Sequence, residues 1–209
     1  MKGLFISLEG PDGCGKSTQI AFMKSSLESR GYDVIVTREP GGTVISEQIR
    51  QVILDKNNMA MQDTTELLLY AAARAQLVGE VIKPAVEAGK VVICDRFVDS
   101  SAVYQGIARG LGVDTVYEVN AYALQNMMPD ITFFLDMPAA EGIRRKNNQH
   151  DLDRMELQKA AFHEKVVEGY RQLAQTQKER IVTIDAMKSI EEIRIEIEER
   201  LIPLLKQPK

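Results

Sequence analysis

The chain has few cysteines, no long apolar run and no surplus of positive charge, and each absence removes a class of protein. Cys14 and Cys94 are its only two cysteines in 209 residues, too few for a disulfide framework. A chain of this length buries about 70% of its unfolded surface, so neither disulfides nor a structural metal are needed to hold it folded. With no n-region, h-region and cleavage-site pattern at its start, this predicts a reducing, cytoplasmic setting. No apolar stretch approaches the roughly 20 residues of a membrane span, so no membrane partner is expected. Asp plus Glu outnumber Lys plus Arg by 30 to 26, a net charge of -4. Broad nucleic-acid binding is therefore not expected, because it rests on neutralising many phosphates with Lys and Arg. Any phosphate chemistry must be local. Internal repeats, low-complexity stretches and Pro/Gly/Ser linkers are also lacking, which predicts a single domain over 1–209.

What is present is an alternation of short apolar runs with longer helical patterns. This is the signature of an α/β fold in which helices flank a parallel sheet. Segments 4–9, 34–38, 91–95, 131–136 and 181–185 are rich in Val, Ile, Leu and Phe and read as five buried strands. Helical patterns fit 16–30, stopped by Gly31, and 63–88, stopped by Gly89 and bent by Pro84. They also fit 114–128, 154–177 and 189–205. Segment 144–154 is polar except for Leu152 and reads as an exposed mobile loop.

Between the first strand and the first helix lies Gly10-Pro11-Asp12-Gly13-Cys14-Gly15-Lys16-Ser17, followed by Thr18. This matches the phosphate-binding loop pattern in the strand-to-helix context that pattern requires. Glycines let successive N–H groups point at one phosphate, and the helix N-terminus adds partial positive charge. Lys16 suits the β and γ phosphates of a nucleoside triphosphate, and the Ser17 hydroxyl suits Mg²⁺. Such a loop occurs in switch GTPases, ATPases and small-molecule kinases. An Asn-Lys-x-Asp base-reading string is missing and the chain is short for a large ATPase, which favours a kinase.

The acceptor must come from elsewhere in the chain. Strand 91–95 ends in Asp95-Arg96, a carboxylate for a metal-bound water and a guanidinium for a phosphate, or else a surface ion pair. Strand 34–38 leads into Arg38-Glu39-Pro40-Gly41-Gly42, a rigid turn suited to a site edge. Tyr70 and Arg74 stand four apart on one helix face. They fit a clamp for a base, or a core tyrosine beside an exposed arginine.

Taken in order and spacing, GPDGCGKST, TREPGGT, LLLYAAARAQLV, DRFVDSSAVYQG, LDRME and FHEKVVEGY resemble the bacterial thymidylate kinases across nearly the whole chain. That resemblance implies a three-layer P-loop kinase fold with a mobile lid over about 142–154. It implies transfer of the γ-phosphoryl of ATP to dTMP, with Mg²⁺, for dTTP synthesis by a homodimer. Its alternatives are a kinase of another nucleoside monophosphate and a non-catalytic nucleotide-binding regulator. It places Tyr70, a departure from the family's usual phenylalanine, and Arg74 against the thymine. Ser101 and Gln105 read the pyrimidine edge, and Tyr104 packs beneath the sugar. By the same resemblance Arg38, Arg50 and Arg96 orient the acceptor phosphate, while Asp12, Glu39 and Asp95 serve the 3′-hydroxyl and the magnesium shell.

Phosphoryl transfer needs positive charge on the equatorial oxygens, and a dedicated arginine is worth on the order of 10³ to 10⁵ in rate. Asp12 and Gly13 bring none to the loop. Arg144, Arg145, Lys146 and Arg154 supply it on the polar segment, which is otherwise an ordinary solvated loop. Arg145 and Arg154 are the expected phosphate contacts, the latter because Leu-Asp-Arg matches the family.

Overall fold

The computed structural model describes residues 2–146 and 152–205. The five apolar runs form β1 (Leu4–Glu9), β2 (Val34–Arg38), β3 (Val91–Asp95), β4 (Ile131–Asp136) and β5 (Ile181–Asp185), at the limits expected from sequence. Helices among the described residues are α1 (Lys16–Ser29), α2 (Val44–Leu54), α3 (Asp63–Leu77), α4 (Lys83–Glu87) and α5 (Val98–Ser101). They continue with α6 (Val113–Leu124), α7 (Ala139–Lys146), α8 (Ala160–Thr176) and α9 (Ile190–Leu201).

The strands pair in parallel in the order β2-β3-β1-β4-β5. Alternate side chains explain the layers on both faces. Ile6, Leu8, Ile93, Phe133 and Leu135 pack against Met23 and Leu27 of α1 and Ile193 and Ile197 of α9. Phe5, Val92 and Cys94 face the other way, against Leu77, Val86, Phe97 and Leu124. On that same side Phe134 meets Tyr104, Val166 and Tyr170. Each such side chain contributes roughly 1.5–3 kcal/mol on burial, so the two cores fix the sheet and hence its edge. The chain leaves β1 toward β2 on one side and crosses from β3 to β4 on the other. That reversal opens a crevice at the carboxyl ends of β1 and β3.

Helix limits depart from the sequence reading for local reasons. The stretch 63–88 is not one α-helix: α3 widens into a π-helical turn at Val78–Ile82 before α4. Pro84 offers no N–H to continue the regular ladder there. The helix expected over 154–177 starts only at Ala160. The Asp153 carboxylate accepts from the Met155 and Glu156 N–H groups at 2.8 and 3.0 Å, closing a turn in place of helix. α6 ends early, at Gln125 and Asn126 with φ of 48° and 62°. Three α-helices lay outside the sequence reading, α2, α5 and α7. α2 is capped by Thr43, whose hydroxyl accepts from Ser46 N–H at 3.1 Å. α5 runs into a π-helical segment, Ala102–Ala108.

Candidate active site

β1 ends at Glu9 and α1 begins at Lys16, and the loop between them curls through Gly10, Gly13 and Gly15 at φ of 140°, 78° and 97°. Space also dictates glycine. A Cβ on Gly10 would stand 2.6 Å from the Leu135 carbonyl, and one on Gly13 would stand 2.7 Å from that of Gly142 in α7. No side chain, basic or otherwise, fits at position 13. Lys16 is buried, and its ammonium donates to the Gly10 and Pro11 carbonyls at 3.1 Å each. Asp12, Gly13, Gly15, Lys16, Ser17 and Thr18 line a large cleft of about 680 Å³. Of the remaining loop residues, Cys14 is packed in the core. Gly10 and Pro11 shape the loop through their carbonyls.

The far walls of this cleft carry Arg38, Glu39, Arg50, Asp95, Arg96, Arg144 and Arg145. Arg144 and Arg145 belong to α7, not to a loop, and both donate to Glu141 at 2.7 Å. Those bonds hold the Glu141 carboxyl down at about 2. The expectation of an exposed loop at 144–154 therefore needs correcting at both ends: the first is helical and the last is buried. Arg154 is 2% exposed. Its guanidinium donates to the Ile53 carbonyl at 2.6 Å and to Glu66 at 2.5 Å, and it does not line the cleft. The Lys146 side chain and Asp151 lie outside the described residues.

A second, smaller pocket adjoins the cleft and shares Asp12, Glu39, Arg50 and Arg96 with it. Tyr70, Arg74, Ser101, Tyr104 and Gln105 complete it, together with Asp153, Met155 and Glu156. Arg74 is buried and Tyr70 half-buried, the reverse of a core tyrosine beside an exposed arginine. Arg74 Nη2 donates to Glu39 at 2.5 Å and to Ser101 at 3.0 Å, and Nη1 donates to Asn120 at 2.5 Å. Glu39 is thus engaged by Arg74 Nε and Nη2 and is not a free carboxylate at the cleft.

Arg96 takes a left-handed φ of 68°, a strained backbone for a non-glycine residue. That turn lets it donate to Asp12 at 3.0 Å and to Tyr170 at 3.1 Å, with its guanidinium 5.3 Å from the centre of the Tyr104 ring. Arg38 donates through Nη2 alone to both Glu47 carboxylate oxygens at 2.8 Å, and Arg50 donates to the Pro40 carbonyl at 2.8 Å. Asp95 Oδ1 is buried and has no hydrogen-bond partner among the described residues. An orphaned carboxylate oxygen lining the same cleft as Ser17 fits a hard cation shared with phosphates. No cluster of three or more His, Cys, Asp or Glu suited to a metal occurs among the described residues.

Several residues that organise the site escaped the sequence reading. Glu9, fully buried, accepts from Phe97 N–H at 2.7 Å, Ser100 at 2.6 Å and Tyr170 at 3.0 Å, tying the phosphate loop to the Arg96 turn. Burial and the nearby Asp99 charge push its carboxyl up to about 7. Glu66 gathers Gln105, Arg109 and Arg154. A signal for Glu66 exists: it precedes Tyr70 by four residues and Arg74 by eight, on the same helical stripe.

Comparisons with known proteins agree with this geometry. The family model "Thymidylate kinase" matches residues 8–197. A thymidylate kinase of Geobacillus sp. (strain WCH70) is 48% identical over 195 residues, covering 92% of this chain and 93% of the relative. One from Thermoanaerobacter sp. (strain X514) is 49% identical over 197 residues, covering 94% and 96%. The crystal structure of thymidylate kinase from Ehrlichia chaffeensis superposes with a TM-score of 0.78 at 30% identity, over 97% of this chain and 99% of that one. With its phosphate loop, the smaller pocket beside it and a family match over most of its length, this chain belongs to the thymidylate kinase family.

Proposed function

We propose that this protein transfers the γ-phosphoryl group of ATP to dTMP, giving dTDP and ADP. As a family member it is an ATP-dependent nucleoside monophosphate kinase. The single observation that carries the assignment of sites is the junction of two cavities at Asp12 and Arg96: a large phosphate-loop cleft opens into a smaller pocket with a planar ring and a buried arginine. In this reading the loop amides and Lys16 hold the donor phosphates, Tyr70 stacks on the base, and Arg74, Ser101 and Gln105 read its edge. Arg96, with Arg38 and Arg50, orients the acceptor phosphate at the junction. Mg²⁺ carried with ATP offsets the charge of the transferring group, and Ser17 and Asp95 are the side chains that would hold it. Glu39, engaged by Arg74, acts as a brace for the base reader in place of a magnesium ligand.

The transition-state charge comes from α7. Arg145 and Arg144 line the cleft with side chains 37% and 70% exposed, so they are able to swing onto phosphate. Arg154 braces the pocket wall. Closure of this side over ATP would exclude water and suppress hydrolysis. Homodimerisation and a cytoplasmic setting belong to the same reading. Val44, Ile45, Val52 and Leu68 leave an exposed apolar surface on α2 and α3. Among the described residues no helix is long and apolar enough to cross a membrane. ADP release measured over a panel of nucleoside monophosphates tests the function. Turnover should be strongest with dTMP; equal turnover without any acceptor would reject a kinase, and a stronger response to another monophosphate would reject the acceptor.

A further inference from the structure

Gln105 is 1% exposed and lines the acceptor pocket, yet its Oε1 has no hydrogen-bond partner among the described residues. Its Nε2 is already committed, donating to Glu66 Oε1 at 2.9 Å. Glu66 is fully buried at the back of the pocket wall. It also accepts from Arg109, through Nε at 3.3 Å and Nη2 at 3.1 Å, and from Arg154 Nη2 at 2.5 Å. Burial alone would raise its carboxyl, but the donors Gln105, Arg109 and Arg154 outweigh that and hold it below the ordinary range. It is therefore an ionised carboxylate, and an ionised carboxylate only accepts. A glutamine amide facing it must present its NH₂ group, which leaves the carbonyl oxygen for the pocket.

We propose that Glu66 is a positioning residue that sets base specificity: by fixing the Gln105 amide, it makes that pocket wall a hydrogen-bond acceptor. The inference rests on the reading of this pocket as the base site. Beside it, Arg74 Nη1 spends one N–H on Asn120 and keeps its second as a donor, since the remaining guanidinium N–H groups go to Glu39 and Ser101. A donor next to an acceptor complements a base whose edge carries a carbonyl oxygen next to a ring N–H, as thymine and uracil do. A base with an amino group next to a bare ring nitrogen, as in cytosine, would set donor against donor and acceptor against acceptor. A buried group left unpaired in this way loses its water without gaining a partner, which weakens binding. Glu66 touches no substrate in this arrangement; its effect passes through Gln105.

The test compares dTMP with 5-methyl-dCMP, which keeps the methyl group and changes only the edge in question. In Glu66→Gln the new amide has an N–H to offer, so Gln105 is free to turn and present its NH₂ to the pocket. The kcat/KM ratio of dTMP to 5-methyl-dCMP should then fall at least tenfold, chiefly through KM. Glu66→Asp, still an acceptor only, should retain most of the ratio. A Glu66→Gln protein that loses activity on both substrates in the same proportion would overturn the inference, since a purely structural role predicts that. If Gln105→Ala also leaves the ratio unchanged, the base-site reading itself fails; if Gln105→Ala shifts it and Glu66→Gln does not, only the role of Glu66 fails. Should Glu66→Gln not fold, the intact protein decides. The ¹⁵N-labelled side-chain NH₂ of Gln105, identified by its loss in Gln105→Ala, should be protected from solvent exchange without ligand and shift little on adding dTMP. An NH₂ that becomes protected only with dTMP would contradict the proposal.

Discussion

The two cavities differ in how far their charges are already satisfied. In the acceptor pocket the working groups are buried and cross-linked: Arg74 is locked by Glu39, Asn120 and Ser101, and Gln105 by Glu66. In the donor cleft they are exposed or held locally. Arg144 and Arg145 pair with a neighbour on their own helix, Glu141, a contact of small energetic weight at the surface. In the proposed reading, the contrast gives specificity to a prebuilt pocket and rate to exposed charge. Reading a base edge requires donors and acceptors fixed before the ligand arrives. Stabilising a transferring phosphoryl group requires cations able to leave their resting partners.

Substitutions sharpen or break this contrast, and the largest effect belongs to the donor side. Lys16→Ala should lower kcat on the order of 10³-fold with the fold intact, checked by steady-state kinetics beside circular dichroism. Arg145→Ala should lower kcat on the order of 10³-fold and leave the melting temperature unchanged. A loss of stability there without loss of turnover would place Arg145 on the structural side. Arg154→Ala should do the reverse. Breaking its buried pair with Glu66 should destabilise the protein on the order of 3 kcal/mol, which a thermal melt would show as a fall of roughly 10 °C.

The smallest effect is a pH dependence. The Glu9 carboxyl is raised to about 7 by burial and by Asp99, against the opposing pull of Ser100, Arg96 and the Phe97 N–H. A raised carboxyl favours the folded state below its unfolded value, and that advantage fades as pH rises toward 7. Glu9→Gln cannot lose a proton. Its melting temperature should match the parent near pH 4.5 and exceed it by a few degrees at pH 8; an equal difference at both pH values would contradict the assignment.

Features governed by neighbours in sequence were legible without the structure. The five strands keep their expected limits because each is a short run dominated by Val, Ile, Leu and Phe, and β1, β3 and β4 are buried on both faces. The phosphate loop is legible because its glycines and Lys16 act within eight residues. α2 was not, because its apolar residues Val44, Ile45 and Val52 face outward and only Ile53 is well buried, so no core-facing stripe marks it. Arg154 and Glu66 are 88 residues apart, and nothing local announces their pairing. The polar character of 144–154 suggested solvent, whereas one of its arginines closes a buried network.

Calorimetric titration of dTMP into the nucleotide-free protein, repeated with Arg145→Ala, tests the division of labour most directly. A prebuilt pocket predicts that dTMP binds without ATP and binds the variant with the parent's affinity, although the variant turns over slowly. Binding that requires ATP, or that is lost with Arg145, would contradict the account.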